Sequence, residues 1–198
     1  MFISYLNTST LKESSATGVG LVIGKFSPVT KGHKQMVDRL IRECATRKLT
    51  PMVCIVDVGR FAPDRLLTGK ERLDQIKDLY GDLEIVIVKN AFDALLQVSD
   101  SNRRCGLIVC GSDRLSAYKS MAARVFADTQ TDPVEVIALA RDPDSDGTEG
   151  LSSSKARAAV AADDFNQFKQ IVPSSEPKAQ KLFDLLKRRY DSQQNVTA

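Results

Sequence analysis

Histidine is nearly absent from this chain: His33 is the single one in 198 residues. A metal centre built from several histidines is therefore excluded. Cysteine is sparse too. Cys44, Cys54, Cys105 and Cys110 form no C-x-x-C pair, so neither a zinc site nor a disulfide framework is expected. Three of the four lie in or beside apolar runs and read as reduced core thiols of a cytoplasmic protein. No apolar run reaches the ~18 residues that a membrane-spanning helix needs. The first residues lack the basic-then-apolar pattern of a secretory signal. A strong charge of one sign is also missing, since 28 basic and 25 acidic residues leave a formal net charge of +3. That bias is too small to make nucleic acid or a membrane the expected partner, although a local basic pocket for phosphates is compatible with it.

What the chain does have is alternation. Residues 1–18 are rich in Ser and Thr without a strong period, and are expected to form a flexible arm. Residues 19–198 are expected to form one domain. Short apolar runs at 19–24, 51–56, 84–88, 106–111 and 134–139 read as buried strands. Between them, residues 33–46 place Met36, Val37, Leu40, Ile41 and Cys44 on one helical face. Thr68 and Glu71 form a capping-box pattern that opens a helix carrying Leu73, Ile76 and Leu79. A short helix is expected at 91–98, and another from the fourth strand to about Phe126. Residues 141–150 read as an acidic loop, followed only by helices, the last over 175–190. Strands that are apolar throughout and alternate with amphipathic helices predict an α/β fold. It is a doubly wound, Rossmann-like, five-stranded parallel sheet with C-terminal helices packed against it.

Two segments carry candidate chemistry. Residues 24–33 read Gly-Lys-Phe-Ser-Pro-Val-Thr-Lys-Gly-His and fall between the first strand and the first helix, the crevice where doubly wound sheets bind ligands. Gly24 and Gly32 permit close backbone approach. A helix starting near Gly32 offers amides and a positive dipole end to a phosphate. His33 then sits in the first turn, where the dipole favours a neutral ring that donates from one nitrogen. The alternative role for His33 is a capping or partly buried histidine. Residues 150–157, Gly-Leu-Ser-Ser-Ser-Lys-Ala-Arg, open a later helix. Ser152, Ser153 and Ser154 offer hydroxyls and amides to one anion, and Arg157 offers a bidentate grip. The alternative is a serine cap with solvated basic residues. Two other phosphate loops fail. Lys25 is followed by Phe26 and Lys70 by Glu71, so no P-loop is present. Ile23 stands where a dinucleotide fingerprint starting at Gly18 needs its third glycine.

Gly24-x-Phe26-x-Pro28-x-x-x-Gly32-His33 resembles the G-x-F-x-P-x-[HT]-x-G-H signature of the nucleotidyltransferase superfamily. The 151–157 segment resembles its second signature, I-S-[ST]-T-x-x-R. The resemblance covers residues 19–173 and implies transfer of a nucleotidyl group, AMP from ATP or the equivalent from CTP, to a small phosphorylated acceptor with release of pyrophosphate. It implies that Thr30 and His33 contact the triphosphate and that Lys25 adds a basic contact. Ser152, Ser153, Ser154 and Arg157 then hold the β- and γ-phosphates. Gly111 and Asp113 match a looser position near the nucleotide, and Mg2+ is bound through the phosphates. Thr30 replaces the first histidine of many members, and Ser154 replaces a threonine.

For the acceptor the resemblances diverge. Lys25 and residues 67–73 resemble archaeal-type nicotinamide-mononucleotide adenylyltransferases. Thr30 resembles pantetheine-phosphate adenylyltransferases. Residues 148–152 resemble cytidylyltransferases, with Gly147 where those carry Arg. The loop after the second strand offers Arg60 and Arg65 for an acceptor phosphate and Phe61 for a flat ring, which favours nicotinamide mononucleotide. A solvated loop with a buried Phe61 is the alternative. Residues 141–143, 149–157 and 164–173 also resemble nucleotidyltransferase-like proteins of tailed phages, which implies a non-catalytic, nucleotide-binding or structural descendant as the competing reading. A homo-oligomer of unspecified size is expected.

Overall fold

The computed structural model describes residues 18–62, 64–139 and 151–197. Residues 1–17 of the expected N-terminal arm and the whole acidic loop at 141–150 therefore lie outside the described residues. Strands β1 (Val19–Gly24), β2 (Thr50–Val56), β3 (Glu84–Val88), β4 (Cys105–Gly111) and β5 (Glu135–Leu139) form one parallel sheet in the order β3-β2-β1-β4-β5. Helices α1 (Lys31–Arg47), α2 (Gly69–Tyr80), α3 (Ala91–Asp100) and α4 (Leu115–Val125) connect them. The strand order reverses between β1 and β4, so the carboxyl ends of these two neighbours border the crevice of a doubly wound sheet.

Both faces of the sheet are covered, which is why the strands are apolar throughout rather than alternating. Val22, Val53, Ile55, Leu107 and Val109 pack under α1 and α2. Leu21, Ile23, Cys54, Ile108 and Cys110 pack under α3 and α4. All four cysteines are buried and free. Burial pushes the Cys44 and Cys110 thiols up to about 11, and those of Cys54 and Cys105 to about 12. They are core thiols and not nucleophiles.

The C-terminal helices differ from expectation in two ways. First, α5 (Ser153–Ala161), α6 (Phe165–Ile171) and α7 (Glu176–Thr197) build their own apolar cluster with Leu66 and Leu67. They cover the segment leading into α2 rather than a face of the sheet, because Ala156, Val160, Phe168, Phe183 and Leu186 find their partners in one another. Second, α7 continues about two turns past Tyr190, the end expected from the apolar pattern. Its last turns are polar and carry no periodic signal.

Arg189, just before those polar turns, forms a two-pronged ion pair with Glu71 (2.7 and 2.8 Å) and donates to the Leu66 carbonyl at 2.8 Å. Glu71 is also the return arm of the α2 capping box, accepting from the Thr68 N–H at 2.8 Å. The Arg189 hydrogen bonds hold the Glu71 carboxyl down to about 2, from an ordinary value of 4.5, against the opposing effect of burial. A carboxyl depressed in the folded state stabilises above its unfolded value, and the stabilisation fades as pH falls through the folded one. The stability gap between wild type and Arg189→Met should therefore be constant above about pH 5 and shrink between pH 4.5 and 2. The Leu66 bond, which does not titrate, leaves a remainder. Urea midpoints across that range check this; a gap that is flat with pH would contradict it.

Candidate active site

The two sequence segments meet in space. A Cβ on Gly32 would lie 2.9 Å from the Leu151 carbonyl oxygen, so glycine is required there by the close approach of the second segment to the start of α1. Gly24 is similar: its missing side chain leaves room for the Phe26 ring, 3.2 Å from where a Cβ would stand. At both positions the close approach comes from the protein itself. The first loop is held along its length. Arg72 donates to the Lys25 carbonyl at 2.6 Å, Arg157 to the Ser27 carbonyl at 2.8 Å and Ser153 Oγ to the Pro28 carbonyl at 2.9 Å, while Gln75 accepts from Val29 N–H at 3.1 Å. Phe26, at φ 52°, turns its ring fully inward. The buried Ser27 hydroxyl meets no hydrogen-bond partner among the described residues.

Thr30 caps α1, and His33 is its third helical residue. The Thr30 N–H donates to His33 Nδ1 at 3.1 Å, and the His33 N–H donates to Thr30 Oγ1 at 3.4 Å. This is a capping box with histidine where Glu or Gln usually stands. An amide N–H can only donate, so Nδ1 must accept, and the neutral ring carries its proton on Nε2. His33 is 6% exposed, and its ring centroid lies 4.7 Å from that of Phe26. The capping role and the donor role expected for this residue are thus compatible, one for each ring nitrogen. Thr30 and Phe26 are themselves fully buried. Thr30 donates its N–H to the His33 ring and accepts the His33 N–H, and Phe26 packs against that ring.

The three serines of the second segment divide their tasks. Ser152 caps α5 by accepting from Lys155 N–H at 3.2 Å, Ser153 binds the first loop, and exposed Ser154 accepts from Arg157 at 3.3 Å. Burial lowers the pKa of the Arg157 guanidinium, opposed by the negative charge of Asp64. The first-turn amides of α1 and α5 have no helical carbonyl to bond. Two positive helix ends therefore converge beside Lys25 and Arg157, an arrangement suited to an anion of several charges. Buried Gly111 ends β4, with exposed Asp113 just beyond it and 3.2 Å from Arg114. Tyr118 of α4 donates to the Ile23 carbonyl at 3.2 Å, under the same crevice.

In the loop after β2, Arg60 is exposed and Arg65 lies 3.2 Å from Asp64. Phe61, expected either to stack on a ligand or to be buried, is 52% exposed, with its ring centroid 4.9 Å from the Arg189 guanidinium. Sequence reasoning missed Arg72. It is fully buried, pairs with Asp57 at 2.9 Å and also donates to the Val56 carbonyl at 2.9 Å. Burial raises the Asp57 carboxyl, but bonds from Gly59 and Gly69 and the charge of Arg72 bring it below its ordinary value. The signal was available: Arg72 lies one turn before Ile76 on the apolar face of α2. Asp64 and Arg189 carry no comparable local signal.

No family model matches the chain, and no curated protein matches it in sequence. Solved structures do match. The chain is similar to Plasmodium falciparum nicotinic acid mononucleotide adenylyltransferase complexed with NaAD, at 15% identity and TM-score 0.56, over 85% of this chain and 98% of that one. It is similar to the macrolide-efflux protein from Streptococcus pneumoniae at 16% identity and TM-score 0.52, over 78% of this chain and 56% of the other. It is also similar to Thermotoga maritima TmcAL bound with alpha-thio ATP, at 11% identity and TM-score 0.50, over 89% and 56%. At these identities the likeness is one of fold: the chain has a five-stranded, Rossmann-like α/β architecture shared with a solved adenylyltransferase.

Proposed function

We propose that the protein is a nucleotidyltransferase that moves AMP from ATP to a phosphomonoester, with nicotinamide mononucleotide as the acceptor. The observation that carries this reading is the convergence of two helix N-termini, Lys25 and Arg157 beside a histidine whose Nε2 bears the proton. The reaction needs no protein nucleophile. An acceptor phosphate oxygen attacks the α-phosphorus in line, the bond to the bridging α–β oxygen breaks, and pyrophosphate leaves with that electron pair. Catalysis is then positioning and charge stabilisation. His33 Nε2–H donates to an α-phosphate oxygen. Ser154, Arg157 and the first amides of α5 hold the β- and γ-phosphates, and Lys25 adds charge. Mg2+ is expected to be held through the nucleotide's phosphates. Bound there, it would neutralise part of their charge.

The loop after β2 supports this choice of acceptor. Exposed Arg60 and Phe61 lie on the loop that contacts the first segment through Asp64 and Lys25, and a planar ring suits an exposed aromatic better than a flexible pantetheine arm does. Protein, Mg2+ and either ATP or CTP should be incubated with nicotinamide mononucleotide, phosphopantetheine and a small phosphoalcohol in turn, with products separated by chromatography. NAD formed from ATP is expected. Dephospho-coenzyme A or a CDP-alcohol without NAD would overturn the acceptor and leave nucleotidyl transfer standing. Nucleotide binding with no product from any pair would favour the non-catalytic reading.

A further inference from the structure

The loops after β1 and β2 are joined by one carboxylate. Asp64 Oδ2 lies 2.5 Å from Lys25 Nζ, and Asp64 Oδ1 lies 3.2 Å from Arg65 Nε. The hydrogen bond from Lys25 holds the Asp64 carboxyl below its ordinary value, against burial, so it is ionised at neutral pH. Arg157, which donates to the Ser27 carbonyl of the first loop, is within reach of its field. A negative group thus sits beside Lys25 and within the field of Arg157, the two cations at the converging helix ends. The pair remains open to solvent, with the Lys25 side chain 57% exposed and that of Asp64 40%. An ion pair this exposed is weak and can be exchanged for a stronger anion.

We propose that Asp64 is an internal competitor for the polyphosphate site, its carboxylate occupying cations that the β- and γ-phosphates of a bound nucleotide take over. This rests on the nucleotidyltransferase reading of the same site. Asp64 would then leave Lys25 when the nucleotide arrives, freeing the loop after β2 from the loop after β1. Affinity for the nucleotide is set below what the cations alone would give.

The test uses inorganic tripolyphosphate and calorimetry on the intact protein. Asp64→Asn is nearly isosteric at an exposed position, and thermal unfolding verifies its folding. It should bind tripolyphosphate about 2- to 5-fold more tightly than wild type, the upper part of the range expected for releasing one exposed ion pair. Asp132→Asn removes the same charge at the opposite, N-terminal edge of the sheet, where Asp132 pairs with Arg104. It should change affinity by less than about twofold. In a Lys25→Ala background the gain from Asp64→Asn should fall by more than half. Tripolyphosphate binding by wild type with equal or weaker binding by Asp64→Asn would overturn the competitor and leave the phosphate site standing. An equal gain from Asp132→Asn would also overturn it, by reducing the effect to net charge. Binding by neither wild type nor Asp64→Asn would overturn both the competitor and the site.

Discussion

His33→Ala is expected to lower turnover by about 10²- to 10³-fold, the loss that follows removal of one preorganised donor to a developing charge. The same variant should also be less stable by about 1–2 kcal/mol, because His33 closes the α1 capping box and packs on Phe26. The two effects separate with His33→Gln. Glutamine is a natural capping-box partner, and its carbonyl oxygen can accept the Thr30 N–H. Stability should return toward wild type while turnover stays low, since the imidazole Nε2–H is still missing. Single-turnover rates and urea midpoints measured on both variants check this. Turnover of His33→Gln within a few-fold of wild type would reduce His33 to a cap.

Arg157→Ala should weaken ATP binding by about 10- to 100-fold, the equivalent of losing charge-assisted hydrogen bonds of about 1.5–3 kcal/mol. AMP binding should change little, because the proposed grip is on the β- and γ-phosphates. Arg157→Lys should recover only part of the loss. A single ammonium cannot reproduce the planar fork that bonds the Ser27 carbonyl and Ser154 Oγ while facing a phosphate. Calorimetry with ATP and AMP distinguishes this from a purely structural role. If Arg157 only fastened the first loop through Ser27, both nucleotides would weaken together.

The sheet was legible because its signals are local. Apolar runs such as residues 19–24 and 106–111 need both faces buried, and α/β connections leave few alternatives for their arrangement. Thr68 and Glu71 announced the start of α2 through a spacing rule that the geometry obeys. The Thr30–His33 capping box obeys the same rule but was less visible, because histidine seldom fills the Glu position. The placement of α5, α6 and α7 was not legible. Their apolar faces show that something must cover them but not whether it is the sheet or one another. Long-range polar contacts were the least visible. Arg189 reaches Glu71 across 118 positions, and Asp64 reaches Lys25 across 39. Nothing local in a charged residue names its partner. Arg72 was readable in principle, since a charge on the apolar face of a helix must be paired where it is buried.

The central claim is attack at the α-phosphorus with pyrophosphate leaving, and isotope labelling tests it most directly. Protein, Mg2+ and nicotinamide mononucleotide are incubated with ATP labelled on either the α- or the γ-phosphorus, and the products are separated. The account predicts that the α-label enters the dinucleotide and the γ-label appears in pyrophosphate, with both signals reduced about 10²- to 10³-fold in His33→Ala. Release of the γ-label as orthophosphate, with the α-label remaining in ADP, would contradict it.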